Sequence, residues 1–310
     1  MIGAVDIGGT KIAAGMVDDN GRVLSRLETP TTACAVYSDG LVHIIRMLRE
    51  AARIASTELS GIGIGSTGWV YPFTGEIGDV DFLPGWKGRN PVKDLSREFS
   101  VQAALENDGD ASVLGEAAWG AGKGKSSLIY ITVGTGIGGG IFLDGHLYRG
   151  ADRAHPEVGH HVIDASGPQC TCGFRGCWEA LATGTAMAAW FNSEAATADV
   201  GKTFTAKEIF QLAKSGDALA QRAVAREHRY LGLGVANLIN LFMPEMIVLG
   251  GSIMQSAQLD DLGKIVAQGC RFVPYKLTQL AHASLGADAN LIGAARVWHH
   301  RFGQNASENF

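Results

Sequence analysis

A strand, a glycine turn and a second strand occur twice in this 310-residue chain, and no other feature restricts the fold as much. Residues 2–6 are an apolar run ending in Asp6. Gly8-Gly9-Thr10 follows, then Lys11 opens an alternating stretch to Val17. Asp18-Asp19-Asn20-Gly21 is a strong turn signal ahead of a third strand, Arg22 to Glu28. Far downstream, Ser127 to Val133 meets Gly134-Thr135-Gly136-Ile137-Gly138-Gly139-Gly140, a strand over 141–143, the Asp144-Gly145 turn and His146 to Tyr148. Gly134-x-Gly136-x-x-Gly139 formally matches the dinucleotide fingerprint, but that fingerprint needs a helix after the glycines, and here a hairpin follows. Glycines without Cβ let successive backbone N–H groups converge on phosphate oxygens. Two such turns, one flanked by Asp6 and Lys11, read as the halves of a nucleotide clamp: Asp6, Gly8, Gly9, Thr10 and Lys11 in one, Gly134, Thr135, Gly136 and Gly138 in the other. Asp6 is expected to orient magnesium through water. Lys11 reads either as a phosphate ligand or as a solvated strand charge.

This duplication resembles the actin, Hsp70 and sugar-kinase superfamily. The resemblance implies an α/β chain of two ribonuclease-H-like domains that close over ATP across a cleft, with residues 1–118 plus 287–310 in the smaller and 119–286 in the larger. The remaining pattern is compatible with it. Residues 39–58 carry apolar groups at helical spacing, and Gly61–Gly65 is a buried strand running into Ser66-Thr67-Gly68. Val101 to Leu105 is a short strand, and Glu106-Asn107-Asp108-Gly109-Asp110 leads into a helix over 111–119. Helices are expected from Glu179 to about Asn192, from a Thr205-x-x-Glu208 capping box, and over 217–242. Met246 to Ser252 is a buried strand ending at Gly250-Gly251, either a plain strand terminus or, as in the superfamily, an approach to the adenosine. A last helix, 286–302, is expected to return to the N-terminal domain. Residues 71–91 read as an ordered loop in which Phe73, Phe82 and Trp86 need burial.

Composition narrows the class of partner. With 46% hydrophobic and 18% charged residues the chain is a globular protein long enough for two cores, and a net charge of −5 provides no long-range attraction for nucleic acid or an acidic membrane. An anionic substrate must therefore be held locally. The N-terminus lacks the basic and apolar regions of a signal peptide, and no stretch approaches a membrane span. Five cysteines, three of them grouped, fit a reducing compartment, so the expected location is the cytoplasm.

Those three, Cys170, Cys172 and Cys177, fall in the run from His155 to Glu179, with His160 and His161 just upstream and Glu157 and Glu179 at either side. Clustered thiolates with a nearby imidazole suit tetrahedral zinc. Gly173 and Gly176 supply the turns that bring three sulfurs round one ion. Glu157-Val158-Gly159-His160 followed by Cys170-Thr171-Cys172-Gly173-Phe174-Arg175-Gly176-Cys177-Trp178-Glu179 resembles the signature of the ROK family of sugar kinases and repressors. The resemblance implies a structural zinc on His160, Cys170, Cys172 and Cys177. It also implies a sugar held by Glu157, His160 and Glu179, with Gly68 beside it, and a homodimer. One imidazole nitrogen on zinc would leave the other N–H for a sugar oxygen, whereas His155 and His161 are expected on turns without chemistry.

Phosphoryl transfer requires neutralised phosphates, in-line placement and a carboxylate to receive the hydroxyl proton. Asp108 is the candidate base. The same resemblance assigns Asn107 to a sugar hydroxyl and Asp108 to the attacking one, although either residue would also serve as an N-cap. Two positions depart from the usual family run, Gly109 and Asp110 standing for alanine and asparagine. Asp110 is expected to face solvent in the first helical turn, where negative charge is favourable. Phe82 replaces an asparagine common in glucose-phosphorylating relatives and leaves the sugar open. The expectation is a glucokinase-like hexokinase acting on the 6-hydroxyl with ATP and magnesium. Kinases of N-acetylmannosamine, N-acetylglucosamine or fructose are alternatives. A repressor is disfavoured, since the first hairpin begins at Ile2 with no winged helix before it.

Overall fold

The first strand shows why the chain folds as it does. Ile2–Ile7 (β1) is buried at every position, as a strand covered on both faces must be. The computed structural model describes residues 1–80, 83–151, 155–195, 203–254 and 259–303; Phe82 lies outside them. The chain divides into two compact units, Met1–Leu128 with Gly140–Pro156 and Ala283–Phe310, and Ile129–Gly139 with Glu157–His282.

In the first unit, β1 pairs antiparallel with Lys11–Val17 (β2), which pairs with Val23–Pro30 (β3). On its other side β1 runs parallel to Gly61–Ser66 (β4), and β4 to Ala103–Asn107 (β7), giving the order β3-β2-β1-β4-β7. Between them Val70–Tyr71 (β5) and Glu76–Ile77 (β6) form a small hairpin. Tyr37–Ile54 (α1) and Pro91–Phe99 (α2) surround one core, in which Ile44 and Leu48 meet Val5, Ile7, Ile62 and Leu105. The opposite face is covered by Asp108–Trp119 (α3) and the last helix, Ala289–Phe302 (α9), whose Leu291, Ala294 and Ala295 pack on Ile2, Ala4 and Val17. The last helix therefore returns to the N-terminal sheet, as expected. The approach is so close that a Cβ on Gly63 would lie 1.9 Å from the Ala294 carbonyl.

The second sheet runs in the order β10-β9-β8-β11-β12, from Leu128–Val133 (β8), Ile137–Leu143 (β9), His146–Leu147 (β10), Met246–Gly250 (β11) and Gln279–His282 (β12). Helices of the second unit are Trp178–Ala182 (α4), Gly184–Ala195 (α5), Ala206–Lys214 (α6), Ala218–Phe242 (α7) and Leu259–Gly269 (α8). Thr205 and Glu208 form the capping box read from sequence. The single helix expected from Glu179 is broken instead: Thr183 is extended, and its Oγ1 accepts from Ala186 N at 3.0 Å, starting α5 anew. No helix among the described residues is long and apolar enough to cross a membrane.

The aromatic loop divides differently from the expectation. Trp86 is fully buried, donates from Nε1 to the Cys34 carbonyl and meets the Tyr37 ring edge-on. Phe73 is 40% exposed. Arg301 and Arg149 lie 4.3 and 5.5 Å from its ring centre, a cation–π arrangement that leaves the ring at the surface.

Candidate active site

Parallel strands collect functional groups at their carboxyl ends, and in the first unit β1, β4 and β7 stop in register, with Ile7 opposite Ser66 and Ser66 opposite Asn107. Asn107 caps α3, its Oδ1 accepting from Gly109 N at 2.7 Å, and its Nδ2 donates to the Gly68 carbonyl at 3.1 Å. The cap reading of Asn107 thus holds, and the same amide ties the Gly68 turn to the head of the helix. Asp108 is the first residue of α3 and half-buried, one Oδ1 contact going to Gly109 N at 2.9 Å. Asp6 is 8% exposed. Burial, and after it the charge of Asp108, raise its pKa to about 7, against a hydrogen bond from Asn290 that lowers it. Its Oδ1 has no hydrogen-bond partner among the described residues. Two crowded carboxylates with one buried oxygen unsatisfied suit a hard divalent cation, which magnesium is. Asn290, on α9, carries no motif that sequence reading could have used.

The first glycine turn closes through Gly8 N donating to the Lys11 carbonyl at 3.0 Å, and Thr31 Oγ1 donates to the Gly8 carbonyl at 2.7 Å. Gly9 and Thr10 are exposed. Lys11 is exposed too and sits 3.2 Å from Glu28 on β3.

Asp110 does not face solvent. It is fully buried, with Oδ2 3.0 Å from His155 Nδ1. Burial raises its pKa to about 6, offset first by the charge of His155. His155 is therefore not an idle turn residue. Beside it Glu106, 1% exposed, receives two bonds from Arg149, at 2.6 and 3.1 Å, with Arg301 3.3 Å away. The expectation for Asp110 failed because helix-dipole reasoning locates a charge along the helix but not around it.

In the second unit, the turn after β8 closes through Gly134 N donating to the Gly136 carbonyl, and the Gly134 carbonyl accepts from Gly184 N. Thr135 is the exposed residue of this turn, while Gly138 lies in β9. The turn at Gly250-Gly251 comes alongside. Ser252 Oγ would lie 3.6 Å from a Cβ on Gly134, and Ile253 N donates to the Val133 carbonyl. Gly251 has φ +91°, and a Cβ there would lie 2.3 Å from the same carbonyl, so this position needs glycine. Glu179 reaches the first of these turns, its Oε2 accepting from Ile137 N at 2.9 Å. Glu157 is exposed.

The sulfur cluster is assembled by a tight hairpin. Cys170 N donates to the Phe174 carbonyl, Gly176 N to the Pro168 carbonyl, and Val162 bridges Cys177. Gly173 and Gly176 have φ +101° and +71°, and a Cβ on Gly176 would lie 1.5 Å from the Asp164 carbonyl. The donor atoms of His160, Cys170, Cys172 and Cys177 all lie within 4.8 Å of one another. Cys172 and Cys177 sulfurs are 3.4 Å apart, and Cys170 Sγ is 3.5 Å from His160 Nδ1. Tetrahedral bonds of about 2.3 Å to sulfur put neighbouring ligands roughly 3.8 Å apart, close to these separations. All five cysteines are free thiols. Burial, then the sulfurs beside it, push the Cys177 thiol well up, so a thiolate set here calls for a cation. The residues fit zinc. His161 turns away from the cluster, its Nδ1 at 2.6 Å from the Val158 carbonyl and its ring against Trp178, whose Nε1 donates to the Tyr230 carbonyl of α7.

The profile of the ROK family matches residues 2–301. The chain belongs to the ROK family. A glucokinase of Thermotoga maritima is 31% identical over 313 residues, covering 96% of this chain and 97% of that one. The crystal structure of a ROK hexokinase from Thermus thermophilus superposes with a TM-score of 0.81 at 34% identity, over 96% and 97% of the two chains. A ROK family glucokinase from Streptomyces griseus, solved in complex with glucose and AMPPNP, gives 0.78 at 30% identity, over 95% and 97%. Xylose repressors also occur among the relatives. The two-sheet α/β architecture is thus the actin-like ATPase fold of ROK proteins.

Proposed function

We propose that this protein is an ATP-dependent sugar kinase of glucokinase type, transferring the γ-phosphoryl group of ATP to the 6-hydroxyl of a hexose. The observation that carries the reading is Asp108 at the head of α3 beside the buried, under-satisfied Asp6, in a chain whose residues 2–301 match the ROK family. Asp108 takes the hydroxyl proton in the transition state. Asn107 holds the Gly68 turn and the first helical turn together, so that the base is presented at a fixed angle. Its second amide hydrogen is available to a sugar oxygen. Asp6 would hold magnesium, which neutralises phosphate charge when bound. The glycine turns at Gly8–Thr10 and Gly134–Gly136 donate backbone N–H groups to phosphate oxygens, Gly138 leaves room beside the second, and the Gly250-Gly251 turn takes the adenosine.

Glu157, His160 and Glu179 bind the sugar. His160 would meet zinc through Nδ1, the nitrogen turned to the sulfurs, and keep Nε2 for a sugar oxygen. Zinc would stabilise the hairpin that carries these groups, a structural role. A coupled assay with ATP and magnesium over glucose, mannose, fructose, N-acetylmannosamine and N-acetylglucosamine tests the reading. Turnover is expected, with glucose the preferred substrate. Preference for an amino sugar or fructose would keep the kinase and change the sugar, while sugar binding without any turnover would favour a repressor-like regulator and refute the kinase.

A further inference from the structure

Two buried acids stand on either side of Asn107-Asp108. Glu106 precedes the pair on β7 and is 1% exposed, and Asp110 follows it in the first turn of α3 and is fully buried. Both are met by basic groups from one stretch of chain. Arg149 forks onto Glu106 with bonds of 2.6 and 3.1 Å, and His155 Nδ1 lies 3.0 Å from Asp110 Oδ2. The side chains of Arg149 and His155 are each 9% exposed. The neighbouring hairpin leaves no slack, since a Cβ on Gly140 would lie 2.4 Å from the Gly109 carbonyl. Burying a carboxylate is costly unless it is paired, so Asp110 is a poor choice for packing alone. What the pair does accomplish is placement. Asp110 is two residues beyond Asp108 on one helix, and His155 is two residues before Glu157 on one segment, with Pro156 between to stiffen it.

We propose that His155 and Asp110 are a positioning pair for the sugar, fastening the segment that leads into Glu157 to the helix turn that carries Asp108. The proposal rests on the sugar-kinase reading given above. Neither residue touches the reacting atoms. The pair sets the pose of the groups that do, and its loss falls on hexose recognition before it falls on ATP.

The test compares steady-state kinetics of the wild type with His155→Ala, His155→Asn, Asp110→Ala and the double variant His155→Ala/Asp110→Ala, with thermal unfolding as a control on folding. Asparagine keeps a donor near the Nδ1 position and is the conservative replacement. His155→Ala should raise the KM for hexose about tenfold or more, the size of a lost buried ion-pair contact, while the KM for ATP stays within about twofold. His155→Asn should recover most of the loss. The double variant should be no worse than His155→Ala, because a contact broken once is not broken twice. An unchanged hexose KM in His155→Ala, additive losses in the double variant, or hexose and ATP affinities falling together would overturn the proposal. A wild type that phosphorylates no hexose would overturn the functional reading and this proposal together, whereas an active wild type with indifferent variants overturns this proposal alone.

Discussion

Helix α7 buries Glu227 completely, and the consequence is a measurable pH dependence of stability. Neither carboxylate oxygen has a hydrogen-bond partner among the described residues. His228 Nε2 stands 3.6 Å from Oε2, but burial lowers the pKa of that imidazole and so disfavours the charge that would help. Desolvation alone raises the Glu227 pKa from 4.5 to about 8. Between those values the folded protein keeps a proton that the unfolded chain releases. The contribution to stability is therefore fully present below about pH 4.5 and is lost as pH rises through about 8. At about 1.4 kcal/mol per pH unit the whole change is on the order of 5 kcal/mol, an upper figure because the native state relaxes around a buried charge. Glu227→Gln keeps the shape and cannot titrate. Urea unfolding of both proteins at pH 5, 7 and 9 should show a stability difference in favour of the variant that grows with pH and is largest at pH 9. A difference independent of pH would refute the reasoning, since an amide left without partners costs the same at every pH.

Removal of metal should separate the two substrates. Elemental analysis should find about one zinc per chain for a closed four-ligand site, and chelation or Cys172→Ser should reduce hexose binding well before nucleotide binding; equal loss of both in separate titrations would leave the ion a purely structural part. Gly136→Ala would bring a Cβ to 2.5 Å from Glu179 Oε2, displacing the carboxylate from Ile137 N. Calorimetry should then show hexose affinity reduced roughly tenfold or more, and unaltered affinity would argue against Glu179 as a sugar ligand. Because the Asp6 pKa is raised to about 7, protons compete with magnesium as pH falls below that value. The magnesium concentration giving half-maximal rate should increase between pH 7.5 and 6, and a flat response would exclude Asp6 as the carboxylate concerned.

The parts of this architecture that were legible in the sequence are those written in short-range spacing. Glycine turns after apolar runs, a C-x-C-x4-C hairpin and an Asn-Asp step between strand and helix each depend on a few consecutive residues, and each folds where the pattern places it. The illegible parts depend on which way a side chain turns. Asp110 reads as an exposed first-turn acid until His155, remote in sequence, is found 3.0 Å away. Glu227 stands between Arg226 and His228 and looks like part of a solvated face, although the helix turns it inward. Lys11 adjoins the first glycine turn in sequence yet pairs with Glu28 on β3. Asn290 has no local signature at all, because only the return of α9 to the first sheet brings it to Asp6.

The central claim is that Asp108 receives the proton of the attacking hydroxyl. Asparagine in its place keeps the side-chain shape and the contact to Gly109 N but cannot accept that proton. The direct measurement is kcat of Asp108→Asn with the preferred hexose at saturating ATP and magnesium, alongside the affinity of the same variant for that hexose by calorimetry. The account predicts kcat lower by about 10²–10⁴-fold with hexose affinity within a few-fold of wild type. A variant that turns over at near wild-type kcat would contradict it.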